Sequence, residues 1–107
     1  MNLGPSLPVA AVCFLSVAAT AGPIQHACES WHPRLGQAPE DYTYALDVEA
    51  KRCGGEPCMI TDMELKWSVQ GGRYTITINR TTNDGQIVRE GELLTVLKNC
   101  RPASGKS

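Results

Sequence analysis

The most regular stretch of the chain begins at Met59, where Met59, Thr61, Met63, Leu65, Trp67 and Val69 interleave with Ile60, Asp62, Glu64, Lys66, Ser68 and Gln70. A two-residue period sends successive side chains to opposite faces of a strand, so this pattern predicts one half-buried β-strand over 59–70. Gly71-Gly72 follows and can supply the positive φ angles of a tight hairpin turn. The chain resumes over 73–82 with Tyr74, Ile76 and Ile78 on one face and Thr75, Thr77 and Asn79 on the other. Asn83-Asp84-Gly85 predicts a second hairpin turn, 86–90 a third strand broken by Gly91, and Leu93 to Lys98 a last β run that delivers Cys100. The six-residue tail from Pro102 reads as disordered.

Upstream the pattern is less clear. Residues 22–40 are rich in Pro and Gly and show no period, so they read as an irregular lead-in. Over 41–52 two readings compete. Tyr42, Tyr44, Leu46, Val48 and Ala50 alternate as a strand would, whereas Pro39, Glu40 and Asp41 at one end and Lys51, Arg52 and Gly54 at the other would frame a single helix over 39–52. The unbroken alternation and the poor helix start of Tyr42-Thr43-Tyr44 favour the strand. Either way the fold class is mainly β: a compact antiparallel meander or sandwich, without repeats or an internal linker.

The first 21 residues change the length of the domain. They carry no charge, run apolar from Leu7 to Ala19 and end in Ala19-Thr20-Ala21, the small-x-small pattern of a secretory signal, with cleavage expected between Ala21 and Gly22. The apolar run is shorter than the ~20 residues that span a bilayer, and Pro8 interrupts it. The expected product is thus a secreted, extracellular domain over 22–107, a monomer without a membrane span. Its core must rest on two Trp and scattered Leu, Ile and Val, a thin set that cross-links usually support.

Removal of Cys13 with the signal leaves Cys28, Cys53, Cys58 and Cys100, an even number in an oxidising compartment, which predicts two disulfides. Each would stabilise by roughly 2 to 4.5 kcal/mol according to loop length. Three connectivities are open. In one, Cys53 and Cys58 close the Gly54-Gly55-Glu56-Pro57 loop while Cys28 ties to Cys100; in the others each pairs outward. A zinc site would want a second short-spaced pair or two nearby His, so no metal and no cofactor is expected.

The charge balance, 10 Lys plus Arg against 11 Asp plus Glu, argues against nucleic acid as the partner, because phosphate binding needs a concentrated positive face. Catalysis fares no better. The only imidazoles, His26 and His32, fall in the irregular lead-in with no hydroxyl placed beside them, and Asp62 and Glu64 share a solvated face with Lys66. No catalytic residue is assigned and a non-enzyme is expected. Two features remain. Asn79-Arg80-Thr81 is an N-glycosylation sequon on the polar face of its strand. Trp31, His32 and Arg34 place an aromatic and a cation together in an irregular stretch, the composition of a binding hot spot, and are the candidate contact residues.

The export signal ending in Ala19-Thr20-Ala21, with Cys28 and Cys100 near the ends, Cys53 and Cys58 between them and a β-meander body, resembles the small secreted cysteine-containing effector proteins of plant-associated fungi. The resemblance covers the whole chain by format. It implies a compact β-sandwich or a ribonuclease-like α+β fold, and action by binding host proteins or nucleic acid. The strands from Met59 onward contain no His, so a ribonuclease-like acid–base pair would be missing. Ser68-Val69-Gln70-Gly71-Gly72 sits roughly where cystatin-type inhibitors insert a Gln-Val hairpin, but the residue order and the cysteine spacing differ. The expected function is therefore non-catalytic binding of an extracellular or host protein. Protease inhibition is the first alternative, and a small hydrolase or pseudo-ribonuclease the second.

Overall fold

The computed structural model describes residues 22–103. Residues 1–21, where the signal is expected, and residues 104–107 lie outside the described residues. Nine antiparallel strands follow one another: β1 (Ile24–His32), β2 (Gly36–Gln37), β3 (Tyr42–Asp47), β4 (Arg52–Cys53), β5 (Glu56–Ile60), β6 (Glu64–Val69), β7 (Tyr74–Asn79), β8 (Asp84–Arg89) and β9 (Glu92–Pro102). Each pairs with the next around the sheet, and β9 pairs back onto β1. The mainly β expectation holds, but the sheet is neither an open meander nor two packed layers. Eight strands close into a barrel, and β2 extends from β1 as a short flap beside the ring. Closure removes the unpaired edges that an open sheet would expose.

The barrel is narrow enough for side chains to fill it. Tyr44, Leu46, Leu65, Trp67, Ile76, Ile78, Ile87 and Leu97 are buried, together with Cys28, Cys53 and Cys100. The two Trp and the Ile and Leu positions do not share the core equally. Trp67 lies inside, its ring 5.1 Å from that of Tyr44, whereas Trp31 is only half-buried.

Several expectations are corrected. The lead-in is not irregular: β1 is a nine-residue strand that pairs with β3 along one edge and with β9 along the other. Its alternation is hidden by a bulge. The register against β9 shifts between Ala27 and Glu29, so Ala27 and Cys28 are both buried although adjacent. The helix over 39–52 does not form; β3 pairs through Tyr42–Leu46 with β1, and Asp47 Oδ1 accepts the Ala50 N–H at 3.0 Å to start a turn. Cross-strand pairing of the Tyr and Leu side chains wins over the terminal charges that would have framed a helix.

The strand predicted over 59–70 is broken into β5 and β6. Thr61 Oγ1 accepts the N–H groups of Met63 at 3.2 Å and Glu64 at 3.0 Å, making a turn without Gly or Pro. Ile60 pairs with Leu65 and Cys58 with Trp67, so the inward phase changes across the turn. Met59 and Met63 consequently face solvent, with 49% and 61% of their surface exposed.

The hairpins also move. The glycines at 71 and 72 belong to a four-residue connection between Val69 and Tyr74, and Asn83, at φ +66°, closes another between Asn79 and Asp84. Gly85 is inside β8, not in a turn. A Cβ there would stand 2.3 Å from the Thr77 carbonyl oxygen and 2.7 Å from Ile78 Cδ1, so only glycine lets β7 approach. Two-residue turns form instead at Gly54-Gly55 and Glu90-Gly91, where both residues have positive φ, as the primed hairpin turns require. The first tail residues are likewise tied down: Pro102 ends β9, and the Ala103 N–H donates to the Gln25 carbonyl at 2.8 Å.

The two disulfides are Cys28–Cys100, which crosses the β1–β9 seam, and Cys53–Cys58, which closes the β4–β5 hairpin. This is the connectivity with one local and one long loop.

Candidate functional site

The strand directions sort the loops between the two ends of the barrel. Connections 33–35, 54–55, 70–73 and 90–91 lie at one end, here called the upper; 48–51, 61–63, 80–83 and both ends of the described chain lie at the other. The three sequence-predicted contact residues belong to the upper half. They do not form one cluster.

Trp31 is on β1, in register with Val96 of β9, and not in a loop. Its Nε1 donates to Glu29 Oε1 at 3.2 Å, and the Lys98 ammonium lies 4.9 Å from its ring centroid. Asn99 Nδ2 donates to the other Glu29 oxygen at 3.2 Å. The indole is thus part of an outer-wall network across the seam, covered by its own neighbours. A cation over an indole face and the hydrogen bond at its edge fix the ring in place.

His32 and Arg34 sit together at the tip of the β1–β2 hairpin. His32 Nδ1 accepts the backbone N–H groups of Arg34 at 3.1 Å and Leu35 at 3.3 Å. Because Nδ1 is the acceptor, the ring's proton resides on Nε2. Gly36, at φ +86°, returns the chain into β2, and the Ala38 N–H donates to Ser30 O at 2.7 Å. The result is a held turn that presents Leu35 with 83% of its surface exposed. Beside it a shallow depression is lined by Pro33, Arg34, Arg89, Leu93 and Leu94, with Leu93 itself 47% exposed. Leu35 and Leu93 were not singled out from the sequence. Their contribution depends on β9 turning back under the hairpin, which no local pattern signals.

The remaining sequence candidates lie elsewhere. Asn79 is the exposed last residue of β7, at the lower end, and its Oδ1 accepts the N–H groups of Thr81 at 2.8 Å and Thr82 at 3.0 Å. This Asx turn exposes the sequon at the start of a loop, where the enzyme that adds sugar needs it. His26 is also on β1, stacked on Tyr44 at 5.3 Å and donating from Nδ1 to the Ile24 carbonyl at 3.0 Å. It is six residues from His32 and at the opposite end of that strand. Asp62 lies in the β5–β6 turn and Glu64 opens β6. Among the described residues no group of three or more His, Cys, Asp or Glu could hold a metal ion, and no helix is long and apolar enough to cross a membrane.

No family model, curated protein or solved structure matches the chain.

Proposed function

We propose that the chain is a secreted, non-catalytic binding protein that engages an extracellular or host protein through the upper hairpin tip. The observation that carries the reading is Leu35, 83% exposed on a turn held by two hydrogen bonds to His32. An apolar residue on an ordered turn loses little conformational freedom on docking, which is the cost that most limits affinity at loop surfaces. In the depression beside the turn Leu93 and Leu94 add further apolar surface, and Arg34, Arg89 and Glu92 share its lining as groups that can pair with charges on a partner. A glycan on Asn79 would occupy the opposite end and leave this tip uncovered. The signal-like first 21 residues, the two disulfides and the format shared with small secreted effectors support export.

The test is capture of partners from host-cell extract and extracellular fluid by the oxidised protein, beside Leu35→Asp and His32→Ala. The expected result is one saturable partner that Leu35→Asp loses and His32→Ala weakens, with both variants retaining the wild-type circular dichroism spectrum. Equal capture by wild type and Leu35→Asp overturns the assignment of the tip. The second reading, protease inhibition, rests on Arg34 being exposed in the same held turn. It requires stoichiometric loss of protease turnover without cleavage of the Pro33–Leu35 segment.

A further inference from the structure

We propose that the lower mouth of the barrel is a binding site for a small one-ring aromatic carboxylate. The site is independent of the hairpin tip and lies at the other end of the molecule. A cavity of about 210 Å³ opens there, with Leu46, Leu65 and Ile78 as its apolar floor and His26, Arg80 and Arg101 around its rim. A dry apolar cavity of about 150 Å³ is enough to take up a benzene ring. The volume here accommodates a ring with one short polar substituent, and falls short of the ~300 Å³ at which larger organic ligands begin to fit.

Three side chains define the chemistry at the mouth. Tyr44 lines the cavity with its ring buried, and its hydroxyl, which has no hydrogen-bond partner among the described residues, is reachable by solvent there. Burial, reinforced by Tyr42 and opposed by Arg80, pushes its phenol up to about 12, so the group is a neutral donor under all ordinary conditions. Arg80 reaches the same mouth. One of its nitrogens donates to the Thr61 carbonyl at 2.7 Å, and among the described residues no carboxylate neutralises it. Arg101 differs. It is held by Asp41 at 3.0 Å and by the carbonyls of Ala27 and Asn99, so its charge is already matched and it acts as wall.

An uncompensated guanidinium and an unpartnered phenol above an apolar floor are complementary to an anion with an apolar body. A carboxylate at the mouth accepts from both Arg80 and the Tyr44 hydroxyl, and its ring replaces water over Leu65 and Ile78. Charge-assisted hydrogen bonds of this kind are the strong ones. A cation is disfavoured by the Arg80 charge.

The experiment titrates phenylacetate into the oxidised protein expressed from the full chain and follows the methyl resonances of Leu46, Leu65 and Ile78, with phenylacetamide as the uncharged control. The expected result is saturation at those methyls with a Kd of about 10 mM or tighter, the weak end for a ligand of about ten heavy atoms. Arg80→Gln, a surface change that preserves the Asn79-Arg80-Thr81 sequon as Asn-Gln-Thr, should weaken phenylacetate about tenfold or more and leave phenylacetamide unchanged. Tyr44→Phe, which keeps the ring and the fold, should weaken it severalfold. Three results overturn the proposal: no saturable shift in the folded protein, saturation that maps to the hairpin tip, or equal affinity of wild type and Arg80→Gln for phenylacetate.

Discussion

The two disulfides should contribute very unequally to stability, and the difference follows from where they lie in the chain. Cys28–Cys100 joins residues 72 apart, and Cys53–Cys58 joins residues 5 apart. A cross-link acts by removing loop-closure entropy from the unfolded ensemble, and that entropy grows with the logarithm of the loop. At 25 °C the relation gives about 4.4 kcal/mol for the long loop and about 2.1 kcal/mol for the short one. The difference, about 2.3 kcal/mol, is roughly fiftyfold in the folding equilibrium. Small domains have total stabilities near the low end of about 5–15 kcal/mol, so loss of the seam bond removes most of the margin. The comparison uses Cys28→Ala/Cys100→Ala against Cys53→Ala/Cys58→Ala in urea, with Trp67 fluorescence as the reporter. Cys28 and Cys100 are both buried whereas Cys58 is only partly so, so the packing loss acts in the same direction as the loop term and adds to it. The seam variant should unfold at the lower urea concentration and with a larger m value, because its unfolded chain is more expanded. Equal losses, or a greater loss for the short loop, would refute the entropic account.

Three further outcomes are expected. Gly85→Ala should destabilise by roughly 1–3 kcal/mol in the same urea assay, because the added methyl meets backbone of β7 that cannot turn aside; Gly55→Ala, where nothing stands within 4 Å but φ is +82°, isolates the backbone term alone. Burial raises the phenols of Tyr42 and Tyr44, the latter to about 12, so the folded state retains protons that the unfolded chain releases near pH 10. Stability from these groups is therefore complete below pH 10 and falls as pH rises toward 12, and Tyr44→Phe should flatten that fall in urea midpoints measured at pH 8 and pH 11. Protein secreted from a glycosylating host should carry extra mass that peptide N-glycosidase F removes and that Asn79→Gln never acquires.

Legibility in the sequence followed the phase of the strands. Where neighbours on both sides keep register, as in β7 with β6 and β8, Ile76 and Ile78 were recognisable as core from alternation alone. Where a bulge or a turn resets the phase, alternation misleads. The bulge in β1 hid a nine-residue strand, and the Thr61 turn made β5 and β6 look continuous, placing Met59 and Met63 inside when they face water. Barrel closure was not legible, because β1 and β9 meet across almost the whole chain and no local pattern encodes a long-range pairing. The candidate tip was half legible: His32 and Arg34 stood out by type, but Leu35 and Leu93 acquire meaning only from the hairpin geometry. Trp31 shows the reverse, a conspicuous residue occupied by Glu29 and Lys98.

The position of the seam disulfide also determines how the molecule bears tension. The start of β1 and the end of β9 emerge at the same end, so a pull on both termini would peel the seam one pair at a time. It would separate Pro102 from His26 and Arg101 from Ala27, and then reach the covalent link between Cys28 and Cys100. From there the load passes through the sulfur bridge, and the residues between the two cysteines leave the load path. In its oxidised state the barrel hangs slack beside a short, inextensible strap. Reduction puts every strand back into the line of force, so the redox state of one bond determines whether a tether through this protein stretches or holds.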